Sequence, residues 1–424
     1  MSATAYPQPA SLRAAALEDY ATGYGGSVLE LDRAVAAAPG PADLIDLTHG
    51  DTRAFLPPPS AAADLVAAVR DNDEAYTAYR GSESLRRELA PRLAALLGRP
   101  VDPAAELIIT PGTQGGLFAA LSSLIGPGDV VALPDPDYFM SERIVAYLGA
   151  RAVRLALDVA PEGCLRLSER TLAQAADARL LLCSHPNNPT GGVYAPDTVA
   201  ALAEWVADGD RLCIVDQLYC RQLFEGAEFT HLGALPGMAQ RTVTLVGPSK
   251  TESMSGYRVG VAVAPGPVID TMERVLAMAS LRTTAYAQQV LRHWLDDDGD
   301  WIARRAAEHQ ALRDPLVALL RGIPGVTVAS PLGSSYVFPD VAGTAWASAR
   351  GLSSGSANGS GESDGRASVR GDALAIALKA AGVLISPGYQ FGTGAATRFR
   401  INFSQDAERL WEACARIERV LRAA

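Results

Sequence analysis

Leu245–Val261 reads LVGPSKTESMSGYRVGV, with the apolar run TLV ending just before the glycine and VGVAVA following the arginine. Two short apolar runs of this kind are buried strands, so Lys250 is expected in a loop between core elements. A lysine held there is expected to be partly desolvated, which lowers its pKa and frees the amine for attack on a carbonyl. Arg258, eight residues on, could hold a phosphate in fork geometry, with Gly256 and Gly260 allowing close backbone approach. The plainer alternative is an exposed hairpin loop that happens to carry both cations.

Working outward, the same kind of run recurs: LIIT, VVALP, AVRLAL, RLLLC, RLCIVD and TVTLV, each separated from the next by a helical or turn-like segment. Helices are expected after Thr113, near Ser141 to Leu148, near Ser168 to Ala176 and near Pro196 to Val206. Almost uniformly apolar strands alternating with helices predict an α/β fold: a mostly parallel central sheet with helices on both faces. Upstream lie a helix near Ser27 to Ala37, a short strand entering the loop Ile45 to Pro59, helical periodicity over Ala61 to Val69, and an amphipathic helix over Ser84 to Leu97 with Leu85, Leu89, Leu93 and Leu97 on one stripe. Downstream, a helical region from Val268 to Leu320 is broken near Thr283 and at the acidic run Asp296 to Asp298. From Gly325 the pattern is that of a smaller α+β domain: VTVAS, SSYVF, a helix from Asp372 to Ala381, VLIS, RFRINFS and a closing helix from Asp406 to Leu421.

The chain is long for one core, with 424 residues, and the expected division is an N-terminal arm and helix over 1–45, a large domain over 46–320 and a small domain over 321–424. A Gly/Ser-rich stretch, 343–371, is expected to be a mobile surface insertion. Apolar residues make up 48% and charged residues 20%, and no run reaches the roughly 18 apolar residues of a membrane span. The first 20 residues lack a basic start followed by an apolar segment, so a soluble, cytoplasmic protein is expected, with no membrane partner. The five cysteines show no C-x-x-C spacing and read as reduced thiols, and the five histidines show no ligand spacing, so no metal is expected. A net charge of −10 without a basic cluster argues against nucleic acid.

Sites on open parallel sheets lie at the carboxyl ends of the strands. After LIIT comes PGTQGGL, where the backbone of Gly112, Thr113 and Gln114 at a helix start can donate to a phosphate. DPDYF places Tyr138 where it could stack on a flat heteroaromatic. SHPNNPTGG fixes an irregular turn that aims the amide of Asn188. RLCIVD ends in Asp216, a carboxylate that is costly on an apolar strand unless it meets positive charge, and Tyr219 follows three residues later. A cradle, a stacking ring, an amide, a carboxylate, a phenol and a nucleophilic lysine together describe a pocket for pyridoxal 5′-phosphate.

From about Ile45 to the C terminus the chain resembles the class I/II aminotransferases of the fold-type I pyridoxal-phosphate enzymes. The resemblance rests on Y-x4-G-x3-LR (Tyr76, Gly81, Leu85, Arg86), TPGTQGGL, PDYF, PNNPTG, D-x-x-Y, SK-x7-R-x-G, VLISPGYQFG and FRINFS, in the family's order. It implies that Lys250 is the Schiff-base lysine and proton carrier, and that Asp216 keeps the pyridine nitrogen protonated. It further implies that Tyr219 and Asn188 bond the phenolic oxygen and Tyr138 stacks on the ring. Thr113, Gln114, Arg258 and, across a homodimer interface, Tyr76 would hold the phosphate. Arg400 would take the substrate α-carboxylate in a bidentate pair, chosen over Arg398 by its place in the motif alone, and Gly50 would lie near the substrate. One departure is Gly247, where the family commonly has a serine or threonine; Ser249 or a water would compensate. His49 and His185 flank the site loops and could contact a substrate or move a proton.

The implied reaction is transfer of the amino group of an amino acid to a 2-oxo acid by a ping-pong mechanism. Elimination, replacement, cyclisation or decarboxylation on the same cofactor is the first alternative, and a catalytically idle ligand-sensing domain the second. A nicotinamide dehydrogenase needs G-x-G-x-x-G after the first strand, which TPGTQGG lacks.

Overall fold

The computed structural model describes residues 28–423 except 52, 73–74, 297–299, 353–371 and 393–395. The N-terminal arm, most of the Gly/Ser-rich stretch and Asp297 and Asp298 lie outside the described residues.

All seven apolar runs around the lysine loop are strands of one sheet. Its order is Leu107–Thr110, Gly260–Val263, Thr242–Val246, Leu212–Asp216, Leu180–Ser184, Val130–Asp135 and Arg151–Ala156. Gly260–Val263 runs antiparallel to both neighbours, and the other strands run parallel to one another. The runs lack apolar/polar alternation because both faces are covered. On one face Ile108, Val131, Leu182, Ile214, Val243 and Ala262 pack with helices Gly112–Leu124 and Gly266–Ala279. On the other, Leu107, Ile109 and Val261 meet helix Glu83–Leu97, and Leu181, Cys213 and Val215 meet helix Pro196–Asp208. The stripe Leu85, Leu89, Leu93 and Leu97 is buried throughout. Its helix is started by the Ser82 hydroxyl, which accepts from Leu85 N at 3.4 Å, and stopped by Gly98 at φ 69°. A left-handed stop of that kind suits glycine.

A second core joins the C-terminal half of helix Asp300–Arg321 to helices Ala373–Ala380 and Ala407–Arg422 and to a three-stranded antiparallel sheet ordered Tyr336–Val337, Phe399–Asn402, Ser386–Pro387. The short strand Ile45–Asp46 pairs in parallel with Val383–Leu384, and Leu47 enters this core.

Two expectations are corrected. VTVAS is not a strand; it contributes a single bridge, Thr327 to Asp340. The start of the Gly/Ser-rich stretch is not a surface insertion either: helix Ala345–Ser348 places Trp346 and Ala347 in the second core with Leu352, because one large indole offers more apolar area than the surrounding small residues can expose. Among the described residues no helix is long and apolar enough to cross a membrane.

Candidate active site

The topology explains why residues so far apart in sequence meet. The parallel strands that end at Thr110, Asp135, Ser184, Asp216 and Val246 deliver their next residues to one edge of the sheet. Gly260–Val263 runs the other way, so Arg258, two residues before it, reaches the same edge. Thr113, Gln114, Tyr138, Asn188, Asp216, Tyr219, Ser249, Lys250, Arg258 and Arg400 all line one cavity of about 210 Å³.

At the helix start, Gly112 has φ 70°, and a side chain there would place Cβ 2.6 Å from Arg258 Nη2. Only glycine lets the guanidinium lie against the helix N-terminus. Gly260 is required too, since its Cβ would fall 2.5 Å from Thr113 N. Gly256 has open space around it and is not needed for approach. Arg258, itself left-handed at φ 55°, donates from Nη1 to Ser255 O at 2.8 Å. A Cβ at Gly247 would lie 3.2 Å from Gly260 Cα and 3.3 Å from Thr113 Cγ2, so a hydroxyl residue would crowd the cradle. The hydroxyl available instead is that of Ser249, which is buried and has no protein partner.

Lys250 departs from expectation. It is exposed and points its loop into the cavity rather than being desolvated by protein. The loop lies on the open edge of the sheet, beyond the packed side chains of the strand that ends at Val246.

Asp216 opens on the cavity yet is densely surrounded; burial pushes its carboxyl up to about 6, against a backbone bond from Leu218 N (3.3 Å) and the charge of Lys250. Tyr138 OH donates to Gln114 Oε1 at 3.0 Å, which fixes the ring over the cavity. Tyr219 OH donates to Tyr336 OH at 2.6 Å. Burial holds the Tyr219 phenol well above its usual range. In Tyr336 burial is outweighed by Arg400 and Lys250, and the phenol is lowered.

Arg400 is buried, with its guanidinium carbon 4.1 Å from the Tyr336 ring centre and 4.9 Å from that of Phe391. Nη1 donates to Asn188 Oδ1 at 2.8 Å, and Nη2 to Thr48 O at 2.9 Å and Ser386 Oγ at 3.0 Å. Nε has no protein partner. Arg398 does not line the cavity; it lies just before the strand Phe399–Asn402 and pairs with Asp340 at 3.0 Å.

Other expected residues divide. His49 lines the cavity, its Nδ1 2.7 Å from Thr48 Oγ1, while Gly50 is not among the lining residues and a Cβ there would fall 3.3 Å from Ser404 Cβ. His185 does not reach the cavity. It is buried and stacked on Phe229 with ring centres 4.3 Å apart, and burial holds its pKa down to about 3, which removes it from proton transfer near neutrality. Tyr76 is 82% exposed on an outer surface. Tyr336, Thr48, Ser184 and Ser386 were not singled out from sequence; each is an ordinary residue of a strand or loop that only the fold brings to the site.

The residues present suit pyridoxal phosphate. Two buried donors without partners among the described residues, Ser249 Oγ and Arg400 Nε, await acceptors such as phosphate and carboxylate. A helix N-terminus and Arg258 gather positive field at one end, and an unpaired carboxylate, Asp216, waits for a cation at the other.

A model of the family "aminotransferase class I and II" matches residues 42–417. The aspartate/prephenate aminotransferase of Cereibacter sphaeroides is 30% identical over 381 residues, covering 89% of this chain and 90% of the relative. The arginine–pyruvate transaminase of Pseudomonas aeruginosa is 29% identical over 387 residues, covering 91% and 92%. A solved aspartate aminotransferase from Rhodobacter sphaeroides superposes with a TM-score of 0.82 at 38% identity, covering 93% of this chain and 99% of its own. Since the model spans nearly all of the described chain, including every strand end that lines the cavity, the chain belongs to the class I and II aminotransferases.

Proposed function

We propose the following assignment of roles within this pyridoxal-phosphate-dependent aminotransferase. When bound, the cofactor supplies a ring that withdraws electrons from the substrate α-carbon. Lys250 holds the cofactor covalently and carries the proton to and from that carbon. Asp216, a carboxylate raised by its dense surroundings, would hold the ring nitrogen's proton. Tyr138 covers one face of the ring; Tyr219 and Asn188 bond its phenolic oxygen. Thr113, Gln114, Ser249 and Arg258 hold the phosphate, and Arg400 offers its remaining N–H groups, Nε included, to the substrate carboxylate. The observation that carries this reading is the convergence of these groups on one cavity.

The three relatives and neighbours named above act, by their names, on aspartate, prephenate or arginine and pyruvate. What such substrates share is the α-amino and α-carboxylate (or 2-oxo acid) end, and that is the part Arg400 would recognise; His49 and Thr48 stand where a side chain would extend. We propose a cytoplasmic homodimer. In support, Tyr76, Val66, Val69, Leu281 and Met278, the last 83% exposed, leave an apolar surface uncovered. Beside it an open groove lined by Leu65, Tyr257, Arg258 and Thr284 gives a partner's Tyr76 a route to the phosphate end. The proposed division into 1–45, 46–320 and 321–424 places the first strand pairing, Ile45 with Val383, at the join.

The deciding experiment is visible absorbance of the purified protein with added cofactor, followed by single amino acids. The wild type is expected to be coloured and to change band as its cofactor takes up the amine, and Lys250→Ala to lose both band and turnover. A colourless wild type refutes the assignment.

A further inference from the structure

Asp137 sits beside the site but has no role in the assignment above. It is 3% exposed, and its carboxylate accepts four hydrogen bonds from three residues, the adjacent Tyr138 and, across the sheet edge, Ser184 and Asn187. Oδ1 accepts from Tyr138 N at 2.5 Å and from the Ser184 hydroxyl at 2.9 Å; Oδ2 accepts from Ser184 N at 3.1 Å and Asn187 Nδ2 at 3.2 Å. The Ser184 hydroxyl passes the restraint on, accepting from Asn188 N at 3.0 Å. On the other side, Asp137 N donates to Phe391 O at 3.1 Å, and the Phe391 ring lies against Arg400.

No cation bonds this carboxylate among the described residues, and the charge that acts on it is another anion, Asp216. Burying an unpaired carboxylate is costly, and burial pushes this one up to about 7. A turn needs no ionisable group to close. What the position requires is an acceptor on both oxygens: an amide would turn its NH₂ either toward Ser184 N and Asn187 Nδ2 or toward Tyr138 N, donor against donor in both settings.

We infer that Asp137 is the positioning residue of this active site, its carboxylate holding the stacking ring of Tyr138 and the Asn187–Asn188 turn in register with each other. The inference rests on the reading of Tyr138 and Asn188 as neighbours of the cofactor. Displacing two groups that bracket the ring by a fraction of an ångström should act on the chemical step more than on amino-acid affinity, which depends on Arg400.

The test compares wild type, Asp137→Asn and Ser184→Ala. The apo-proteins are titrated with pyridoxal phosphate by absorbance, the loaded enzymes are assayed for kcat and KM, and folding is followed by circular dichroism and Tm. Asp137→Asn is expected to bind the cofactor roughly tenfold more weakly and to lose about 100-fold in kcat with KM for the amino acid within about threefold. Ser184→Ala, which releases Asn188 but leaves Asp137 its three other donors, should show the same pattern to a smaller degree. Unchanged cofactor affinity and kcat in both variants, with only Tm lowered, would make Asp137 structural and overturn the inference. Should Asp137→Asn fail to fold, Ser184→Ala alone decides, by a kcat that falls or does not. A wild type that binds no cofactor would instead defeat the functional assignment itself.

Discussion

Replacing Arg400 by lysine keeps the charge and removes the fork. In the structure three of its N–H groups are taken by Asn188 Oδ1, Thr48 O and Ser386 Oγ, and Nε is free. The guanidinium is sandwiched by Tyr336 and Phe391, which set its plane. Lysine would carry a single ammonium at the end of a flexible stem, unable to satisfy the three protein acceptors and still offer donors to a carboxylate. Losing one of two charge-assisted bonds to substrate costs about 2 kcal/mol, or roughly 30-fold in kcat/KM. The α-carboxylate is bonded to the reacting carbon but carries its full charge in both the ground and the transition state, so the loss should fall mainly on KM. The assay is steady-state kinetics with a single amino acid and a single 2-oxo acid, with cofactor content measured alongside. Arg398→Lys is the control: Arg398 pairs with Asp340 away from the cavity, and its replacement should change kcat/KM less than about twofold. An unaltered KM in Arg400→Lys, or an equal loss in Arg398→Lys, would refute the placement of the substrate carboxylate.

Ser249→Ala removes a buried hydroxyl that has no partner in the protein, so the apo-protein should be at least as stable as wild type by thermal unfolding, while cofactor affinity falls about tenfold. A destabilised apo-protein with normal affinity would mean the hydroxyl serves the fold. Gly112→Ala sets Cβ 2.6 Å from Arg258 Nη2 at φ 70°, and is expected to weaken cofactor binding at least tenfold, measured by titration of the apo-protein. The carboxyls of Asp137 and Asp216 are raised to about 7 and about 6, above the roughly 3.9 of an unfolded chain. Between those values the native state holds more protons than the unfolded one, so stability falls as pH rises. The contribution of these two groups should therefore make the apo-protein more stable near pH 5 than near pH 7.5, and Asp137→Asn should flatten that dependence in denaturant titrations at the two pH values.

The sheet was legible because its strands are buried on both faces: seven short apolar runs, each bounded by turn residues, can be little else. The strand ends were legible for the same reason, since chemistry on such a sheet gathers at one edge, and Asp216 ends a run while Lys250, Asn188, Tyr138 and Arg258 each lie within four residues of one. Local pattern also fixed the need for glycine near the lysine loop. It could not say which glycines: Gly112 and Gly260 are held by close approach, and Gly256 is not, a distinction made by contacts between segments more than a hundred residues apart.

Everything that depends on such contacts was decided by tertiary structure. The antiparallel setting of Gly260–Val263 brings Arg258 to the working edge, and the pairing with Asp340 holds Arg398 away from the cavity that Arg400 lines. His185, next to the PNNP turn in sequence, faces Phe229 in the core, whereas Tyr336, which nothing in its own segment marks, lies under Arg400 and against Tyr219. Trp346 turned a stretch of loop-like composition into core. Sequence carries the periodicities and backbone permissions that make elements, because these are properties of a few neighbouring residues. Which side chains then share a cavity depends on sheet order, strand direction and packing summed over the whole chain.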